Sequence, residues 1–471
     1  MKRFLFLFAA LFFFIIAAPV VEARVDRVVI ESRADVLGGK SFGLAGTYEK
    51  IRGRIYFKIQ PQNEHNRIIV DLDKAPRNRD GEVEFSADFY ILKPKDANRG
   101  NGSLLMEIPN RGGKGILRLI NRANGSSDPT TEAEYGDGFL LRQGLTLVWI
   151  GWQFDVRDEA GLMRLYAPIA RDGAKPITGL VRSDFVVSEK TYEHPLGHVI
   201  TGQIGGTEYA VSDANSPSNV LTVRDAPLSE RRRIPRSEWA FARHNADGKV
   251  IPNNRFISLK TGFEPGRIYE VVYLAQDPVV VGLGLAAVRD AASYFKRDPQ
   301  AVASAKRAYA LGISQSGRFL RHFLYQGFNA DEEGRQAFDG MFIHVAGAGI
   351  GSFNHRFAQP SRDAQPTTAL FYPTDLFPFA DTPQTDPATH QTAGLLDRAK
   401  RENVLPKIFY TNTSYEYWSR AASLIHTTPD GQRDVPLMDN TRVYFLTGLQ
   451  HFSGPFPPTR STNPALLGQH P

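Results

Sequence analysis

Short apolar segments recur along the chain and predict buried strands. The clearest are residues 104–108 (LLMEI), 145–150 (LTLVWI) and 309–313 (YALGI). Strands that are apolar on both sides are typical of a parallel sheet with helices packed on both faces. Further segments of this kind are 268–274, 341–345, 407–410 and 443–446. Helical patterns at 285–295 and 318–325 are interspersed with them. We therefore predict an α/β fold with a doubly wound, mostly parallel sheet.

Two other regions show features typical of β structure outside such a sheet. Apolar and polar residues alternate at 54–59 (RIYFKI) and 83–89 (VEFSADF), while the stretch from 156 to 262 is rich in Pro, Gly and Asn. We therefore expect four regions in the mature chain. They are an N-terminal β-rich region (24–98), the first part of the α/β core (99–155), a β-rich insertion (156–262) and the second part of the core (263–471).

The first 23 residues have the pattern of a secretory signal peptide. Lys2 and Arg3 form a short basic start, residues 4–18 are apolar, and the sequence VEA at 21–23 is suited to cleavage after Ala23. The apolar run is shorter than the about 20 residues that a membrane-spanning helix needs. We therefore predict a bacterial protein exported to the periplasm or the exterior, without a stable membrane anchor.

Composition excludes several classes of site. The chain contains no cysteine, which excludes disulfides, thiolate metal sites, iron–sulfur clusters and cysteine nucleophiles. The net charge is +6 over 471 residues, and the basic clusters at 231–233 and 400–401 are short and lack interleaved aromatic residues. This pattern favours a solvated surface over nucleic-acid binding. The chemistry predicted below requires no metal ion or organic cofactor.

The segment 312–317 (GISQSG) is the strongest chemical signal in the sequence. It lies between a predicted buried strand and an amphipathic helix, the context of a nucleophile elbow. We predict Ser314 as the nucleophile, with the Gln315 amide as an oxyanion donor at the start of the helix. The strict motif has Gly where this chain has Ser316, so the match is near rather than complete, and Ser316 itself is the alternative nucleophile.

A serine nucleophile needs a base, and in this fold class the order along the chain is serine, acid, histidine. His451 follows the last predicted strand, and Glu416 follows the strand before it. We predict these two residues as base and acid. The alternative acids are Asp375, Asp381, Asp430, Asp434 and Asp439. His344 is expected to be packed in a strand, whereas His355 and His426 are alternative substrate or supporting groups.

A second oxyanion donor is expected from residues 109–115 (PNRGGKG), which follow an early strand. A glycine-rich loop at this place can direct a backbone N–H toward the serine, so Arg111 or Gly112 is the predicted donor. Arg111 could alternatively bind a substrate carboxylate. A phosphate-binding loop is excluded, because the spacing of a P-loop is absent and Lys114 is not followed by Ser or Thr.

These segments resemble a known family, the exported bacterial alpha/beta hydrolase domain proteins, a serine esterase-like branch of the α/β-hydrolase superfamily. The resemblance covers about residues 25–455. Its segments are 66–79 (NRIIVDLDKAPRNR), 109–113, 136–139, 149–153, the Ser314 elbow, 346–362 (AGAGIGSFNHRFAQPSR), 416–418 and 450–451. It implies the α/β-hydrolase fold and a Ser314–Glu416–His451 hydrolase, without a substrate. Members of the family continue past the histidine loop with a helix, so the resemblance implies that this chain, which stops at Pro471, is shortened.

The sequence therefore predicts a secreted hydrolase that cleaves carboxylic esters, either small molecules or polymers. Two alternatives stay open from the residues alone. One is a ligand-binding protein that has lost turnover, and the other is an amidase or peptidase that uses the same three residues. The sequence predicts neither the acyl group of the substrate nor the oligomeric state.

Overall fold

The structure is a computed structural model that describes residues 25–200, 203–205, 208–362 and 375–451. The predicted signal peptide lies outside the described residues. Three long strands open the described chain. They are β1 (Val25–Asp35), β2 (Tyr48–Ile59) and β3 (Val83–Pro94), and they pair antiparallel in this order. The two alternating segments predicted as strands lie within β2 and β3.

The next segment adds two parallel strands and three short helices. The elements are β4 (Ser103–Glu107), α1 (Ile116–Ile120), α2 (Glu132–Tyr135), α3 (Phe139–Arg142) and β5 (Thr146–Ile150). β4 pairs parallel with β5, which pairs antiparallel with β3, so the N-terminal strands and the core form one sheet.

Strands dominate the region of the predicted insertion. They are β6 (Leu165–Tyr166), β7 (Arg171–Asp172), β8 (Lys175–Pro176), β9 (Thr178–Val186), β10 (Thr191–Pro195), β11 (His198–Ile200), β12 (Gln203–Gly205), β13 (Val220–Arg224), β14 (Arg232–Ile234), β15 (Trp239–Ala240), β16 (Ala242–His244), β17 (Val250–Pro252), β18 (Phe256–Phe263) and β19 (Ile268–Gln276). β10, β18 and β15 form one small sheet, and β14, β13, β19 and β9 form another. β6 pairs with β3, and the remaining strands pair as hairpins, β7 with β8, β11 with β12 and β16 with β17.

The prediction for residues 268–274 was wrong. We expected this apolar segment in the parallel sheet, but β19 lies in the antiparallel sheet between β9 and β13. The physical reason is that a short apolar run indicates burial without indicating a partner. β19 is buried in a second hydrophobic core, formed with residues such as Val181, Leu221 and Trp239, and not in the core of the main sheet.

The second half of the chain alternates strands and helices. Its elements are α4 (Leu283–Arg297), β20 (Arg307–Ile313), α5 (Gln315–Tyr325), β21 (Gly340–His344), β22 (Gln384–Thr385), β23 (Thr392–Ala393), α6 (Asp397–Arg401), β24 (Lys407–Thr413), α7 (Ser414–Ser419) and β25 (Thr441–Leu446). Short 3-10 helices lie at Val36–Gly39, Gly43–Ala45, Leu72–Lys74, Ala97–Arg99, Arg236–Glu238, Pro360–Arg362 and Ala422–Ile425.

The strand order of the main sheet is β1-β2-β3-β5-β4-β20-β21-β24-β25, with β6 paired to β3. Pairing is antiparallel from β1 to β5 and parallel from β5 to β25. The chain therefore has an α/β fold, but its sheet is mixed, because the N-terminal β strands extend the sheet instead of forming a separate unit.

Side chains of each central strand alternate between two cores. In β5, Val148 and Ile150 pack with apolar residues of α4 and α5, whereas Leu147 and Trp149 pack with residues of α1, α2 and α3. From β4 the chain proceeds to β5 on one side, and from β20 to β21 on the other. Loops that follow β4 and β20 therefore lie where the strand order reverses, at the carboxyl ends of the strands, and open α/β sheets bind their ligands at such a place.

Candidate active site

Ser314 occupies a sharp turn between β20 and α5. Its backbone has φ 60° and ψ −117°, and its N–H donates to the His344 carbonyl at 2.8 Å. A side chain at position 312 would come within 2.3 Å of the Ser316 carbonyl oxygen, so the turn needs Gly312. A non-glycine residue with positive φ is uncommon and is found preferentially at functional sites. The local geometry agrees with that of a nucleophile elbow.

Three predicted residues form one hydrogen-bonded chain. Ser314 Oγ lies 2.8 Å from His451 Nε2, and His451 Nδ1 lies 2.5 Å from Glu416 Oε1. These residues follow three different strands, β20, β25 and β24, which the parallel sheet brings to the same edge. The hydroxyl, the imidazole and the carboxylate therefore stand in the order that allows proton transfer from the serine to a histidine oriented by an acid.

Glu416 also belongs to the start of helix α7. Its second oxygen, Oε2, accepts from the Thr413 N–H at 2.8 Å and from Thr413 Oγ1 at 2.6 Å, which is a capping box. The side chain is fully buried. Burial favours the neutral acid, but hydrogen bonds from His451 and Thr413 together hold the pKa of Glu416 below its usual value. The carboxylate is therefore ionised and faces the imidazole.

The loop after β4 forms a tight turn beside β20. Gly113 N–H donates to the Asn110 carbonyl at 3.0 Å, and the two central residues, Arg111 and Gly112, have φ of 50° and 79°. Positive φ at both central positions is typical of a type I′ turn. Asn110 Nδ2 donates to the Ile313 carbonyl at 3.2 Å, which attaches the turn to the residue before Ser314.

The profile of a family described as "Alpha/beta hydrolase domain" matches residues 209–469, a little more than half of the chain. The chain belongs to the alpha/beta hydrolase domain family. The matched range includes the Ser314 turn, Glu416 and His451. The resemblance found from the sequence motifs is thus confirmed, together with the assignment of the chain to the α/β hydrolases.

Two solved structures show a distant likeness to this alpha/beta hydrolase domain protein. A glucuronoyl esterase from Solibacter usitatus is 13% identical, with 90% of this chain and 82% of that chain covered and a TM-score of 0.32. A CE15 glucuronoyl esterase from Teredinibacter turnerae T7901 is 9% identical, with 92% and 76% covered and a TM-score of 0.29. No curated protein matches the chain. Likenesses at this level leave the substrate open.

The alternative residues of the hydrolase site have other partners. Asp381 accepts from Tyr410 Oη and Thr441 Oγ1, both at 2.8 Å. His426 Nε2 lies 2.8 Å from Tyr417 Oη, and His344 Nδ1 lies 2.7 Å from Thr411 Oγ1. Ser316, the alternative nucleophile, is fully buried in α5, whereas Ser314 is 8% exposed and contacts His451.

The side chains of the other predicted oxyanion residues are bound within the protein. Gln315 Nε2 donates to the Pro360 carbonyl at 2.6 Å, and Gln315 Oε1 accepts from Gln153 Nε2 at 2.9 Å. Arg111 Nε donates to the Ser361 carbonyl at 2.7 Å. The backbone amides of these two residues stay the predicted oxyanion donors. Gly112 is surrounded closely, because a Cβ there would lie 2.7 Å from Val156 Cγ1.

Sequence reasoning missed three residues that support the site. Thr413 holds the carboxylate of Glu416, Gln153 holds the side chain of Gln315, and Glu107 accepts from the loop after β4. The pattern T-x-x-E at 413–416 predicts a capping box that joins Thr413 to Glu416, and Glu107 is a carboxylate within an apolar segment, which indicates a buried charge with partners. Gln153 lies in the family segment 149–153, but its contact with Gln315 exists only in the folded chain.

Two further observations concern the described part of the chain. In these residues, no three His, Asp or Glu side chains are arranged to bind a metal ion. None of the described helices is long and apolar enough to span a bilayer.

Proposed function

We propose that this protein is a secreted serine hydrolase that cleaves carboxylic esters through an acyl-enzyme formed on Ser314. The observation that supports this proposal is the chain of hydrogen bonds from Ser314 Oγ, at the start of α5, through His451 to Glu416, in the first turn of α7. A serine hydroxyl is inert near neutral pH unless an adjacent base removes its proton, and this arrangement supplies such a base.

In the proposed reaction, Ser314 Oγ attacks the ester carbonyl while His451 Nε2 takes the hydroxyl proton. Glu416 orients the imidazole and stabilises its protonated form. The oxyanion accepts from the Gln315 amide at the first turn of α5 and from the Arg111 or Gly112 amide. His451 then gives its proton to the leaving alcohol. A water molecule activated by the same histidine attacks the acyl-enzyme, releases the acid and restores Ser314.

Of the two predicted amides in the β4 loop, we propose that of Gly112 as the donor. Within the described residues this N–H donates to no other group, and positive φ at position 112 is natural for glycine. Because the turn is bonded to Ile313, it lies beside the serine.

The proposal extends to organisation and location. We propose that the parallel strands β5 to β25, with helices on both faces, form a doubly wound core of the α/β-hydrolase type divided at 99–155 and 263–471. The β-rich regions 24–98 and 156–262 would be an N-terminal extension and an insertion. The signal sequence predicted at 1–23 supports export to the periplasm or the exterior of a bacterial cell.

Hydrolysis of a series of p-nitrophenyl esters by the wild-type protein and by Ser314→Ala and Ser316→Ala tests the proposal. We expect wild-type hydrolysis, a loss of about 10³-fold or more in Ser314→Ala and little change in Ser316→Ala, because only Ser314 contacts His451. Circular dichroism verifies that each variant is folded. Covalent labelling by a fluorophosphonate should require Ser314.

Two outcomes would contradict the proposal. A folded wild-type protein that neither hydrolyses any ester nor reacts with the fluorophosphonate would indicate a ligand-binding protein without turnover. Faster cleavage of matched amides than of esters would indicate an amidase or peptidase.

A further inference from the structure

The loop of residues 109–115 is attached to the sheet at both of its ends. At the first end, Trp152 Nε1 donates to the Pro109 carbonyl at 2.7 Å, and Asn110 Nδ2 donates to the Ile313 carbonyl. At the second end, the backbone is attached to the carboxylate of Glu107. The turn that carries Arg111 and Gly112 lies between these attachments and is also held directly, because the Met163 N–H donates to the Gly112 carbonyl at 3.0 Å.

Glu107 is the last residue of β4 and is only 3% exposed. Its carboxylate accepts three hydrogen bonds, from Gly115 N–H at 2.7 Å, from Ile116 N–H at 2.9 Å and from Trp149 Nε1 at 2.5 Å. The contact with the loop is close, since a Cβ at position 115 would lie 3.1 Å from Glu107 Oε1. A buried carboxylate on a strand is costly unless it is fully bonded, and here two of the three bonds come from the last residue of the loop and the first residue of α1.

We propose that Glu107 is a positioning residue for ester hydrolysis, whose carboxylate sets the path of loop 109–115 and thereby directs the Gly112 N–H toward the oxyanion. This inference rests on the proposed function. An oxyanion donor contributes to catalysis only when it is held in place before the charge develops, because a donor that must reorient loses most of its advantage. Helix α1 begins directly after the loop, so the carboxylate that holds the Gly115 and Ile116 amides fixes the point at which the loop ends.

The same contact responds to pH. Burial raises the pKa of Glu107 to about 6, against the opposing effects of the three N–H donors and of Lys114, the charged group that faces it. The Lys114 ammonium donates to the Gly161 carbonyl at 2.7 Å and lies over the ring of Tyr90. When Glu107 takes up a proton, one of its oxygens becomes a donor and opposes an N–H of the loop. The loop should therefore be less restrained as the pH falls through about 6.

The test compares Glu107→Gln with the control Trp149→Phe. Glu107→Gln turns an amide NH₂ toward the N–H groups of Gly115 and Ile116, whereas Trp149→Phe removes the third donor and leaves both of these backbone amides bonded. We expect kcat for a p-nitrophenyl ester to fall about 10–100-fold in Glu107→Gln with KM within about twofold. We expect Trp149→Phe to keep kcat within about threefold, although both variants lower the Tm.

The pH profile supplies a readout that a merely structural residue would not change. The acid side of the wild-type kcat profile should contain a component near pH 6 that is missing in Glu107→Gln. If Glu107→Gln does not fold, Gly115→Ala replaces it, because the added methyl group displaces the same carboxylate contact, and it should lower kcat without raising KM.

Two outcomes would overturn the inference. One is a folded Glu107→Gln with the kcat and pH profile of the wild type. The other is a Trp149→Phe variant in which kcat falls in the same proportion to the loss of Tm as it does in Glu107→Gln. That result would indicate a general effect of stability. A failure of the proposed function would be detected separately, because Ser314→Ala would then hydrolyse the ester as fast as the wild type.

Discussion

At the scale of residues, Glu416 shows how one side chain serves a local and a tertiary purpose. Oε2 caps α7 through Thr413, and Oε1 accepts from His451. The two roles are compatible because an ionised carboxylate has two oxygens, each with room for further donors. Without the cap the carboxylate would be free to rotate, so Thr413 determines which oxygen faces the imidazole.

Replacement of Glu416 by Gln should reduce kcat for ester hydrolysis by about 10³–10⁴-fold, because the amide cannot stabilise the imidazolium. Steady-state kinetics with a p-nitrophenyl ester measures this. Thr413→Val is the matched control that keeps the carboxylate and removes one of its donors, and its loss should be much smaller. Equal losses in the two variants would contradict the assigned roles.

The depressed pKa of Glu416 also predicts a pH dependence of stability. Since the pKa in the folded protein is lower than the value of 4.5 for an unperturbed Glu, ionised Glu416 stabilises the fold above about pH 4.5. This contribution is lost as the pH falls through the folded-state pKa. The difference in unfolding free energy between wild type and Glu416→Gln, measured in urea, should therefore be larger at pH 7 than at pH 3.5. A difference that grows on acidification would contradict the sign.

At the scale of elements, the site depends on which strands are neighbours. β4 and β20 lie side by side where the order of the strands reverses, so the loop after β4 faces the turn after β20. The turn itself needs the backbone of β20 to approach α5 closely. Gly312 meets the Ser316 carbonyl, and Gly317 meets Ala346, where a Cβ would be 2.8 Å away.

Gly312→Ala should therefore destabilise the protein by about 1–3 kcal/mol or more, since its methyl group would collide with backbone atoms that cannot move aside. Gly125→Ala is the control, because a Cβ at position 125 would meet no atom within 4 Å. Urea unfolding monitored by tryptophan fluorescence checks both. A Gly312→Ala variant as stable as Gly125→Ala would show that the turn can relax.

At the scale of the whole molecule, the strands of the insertion are joined to the main sheet through residues 359–362. Arg362 Nη1 donates to Asp184 of β9 at 2.9 Å, and both side chains are buried. Ser361 accepts from Arg111 through its carbonyl and donates to Asp155. This short segment therefore connects the small antiparallel sheet to the turn beside Ser314.

Arg362→Met should cost about 3–5 kcal/mol of stability, because it leaves Asp184 buried without its partner. Burial already raises the pKa of Asp184 to about 6, with Arg362 acting in the opposite direction. The double variant Arg362→Met with Asp184→Leu should recover much of the loss, since it removes both charges. Urea unfolding of the two single variants and the double variant measures the coupling, and additive effects would contradict a direct pair.

Local patterns predicted the α/β fold, the strands of the core, and Glu416 and His451 as the partners of Ser314. They did so because a strand, a turn and a cap each follow from residues that are close in sequence. They failed for residues 268–274, because burial does not specify a partner strand. They did not indicate that the N-terminal strands extend the main sheet, because pairing between β3 and β5 joins segments whose sequences do not indicate each other.

By itself the sequence determined the alternation of strands and helices, the GISQSG turn, the absence of cysteine chemistry and the family. Only the tertiary structure decided that Glu416, rather than another carboxylate, faces His451, and that Glu107 and Gln153 hold the surroundings of Ser314. The physical reason is the separation along the chain over which each kind of interaction acts. Propensity and periodicity act within a few residues, whereas hydrogen bonds between side chains 35 or 137 positions apart exist only after the sheet has brought the ends of its strands together.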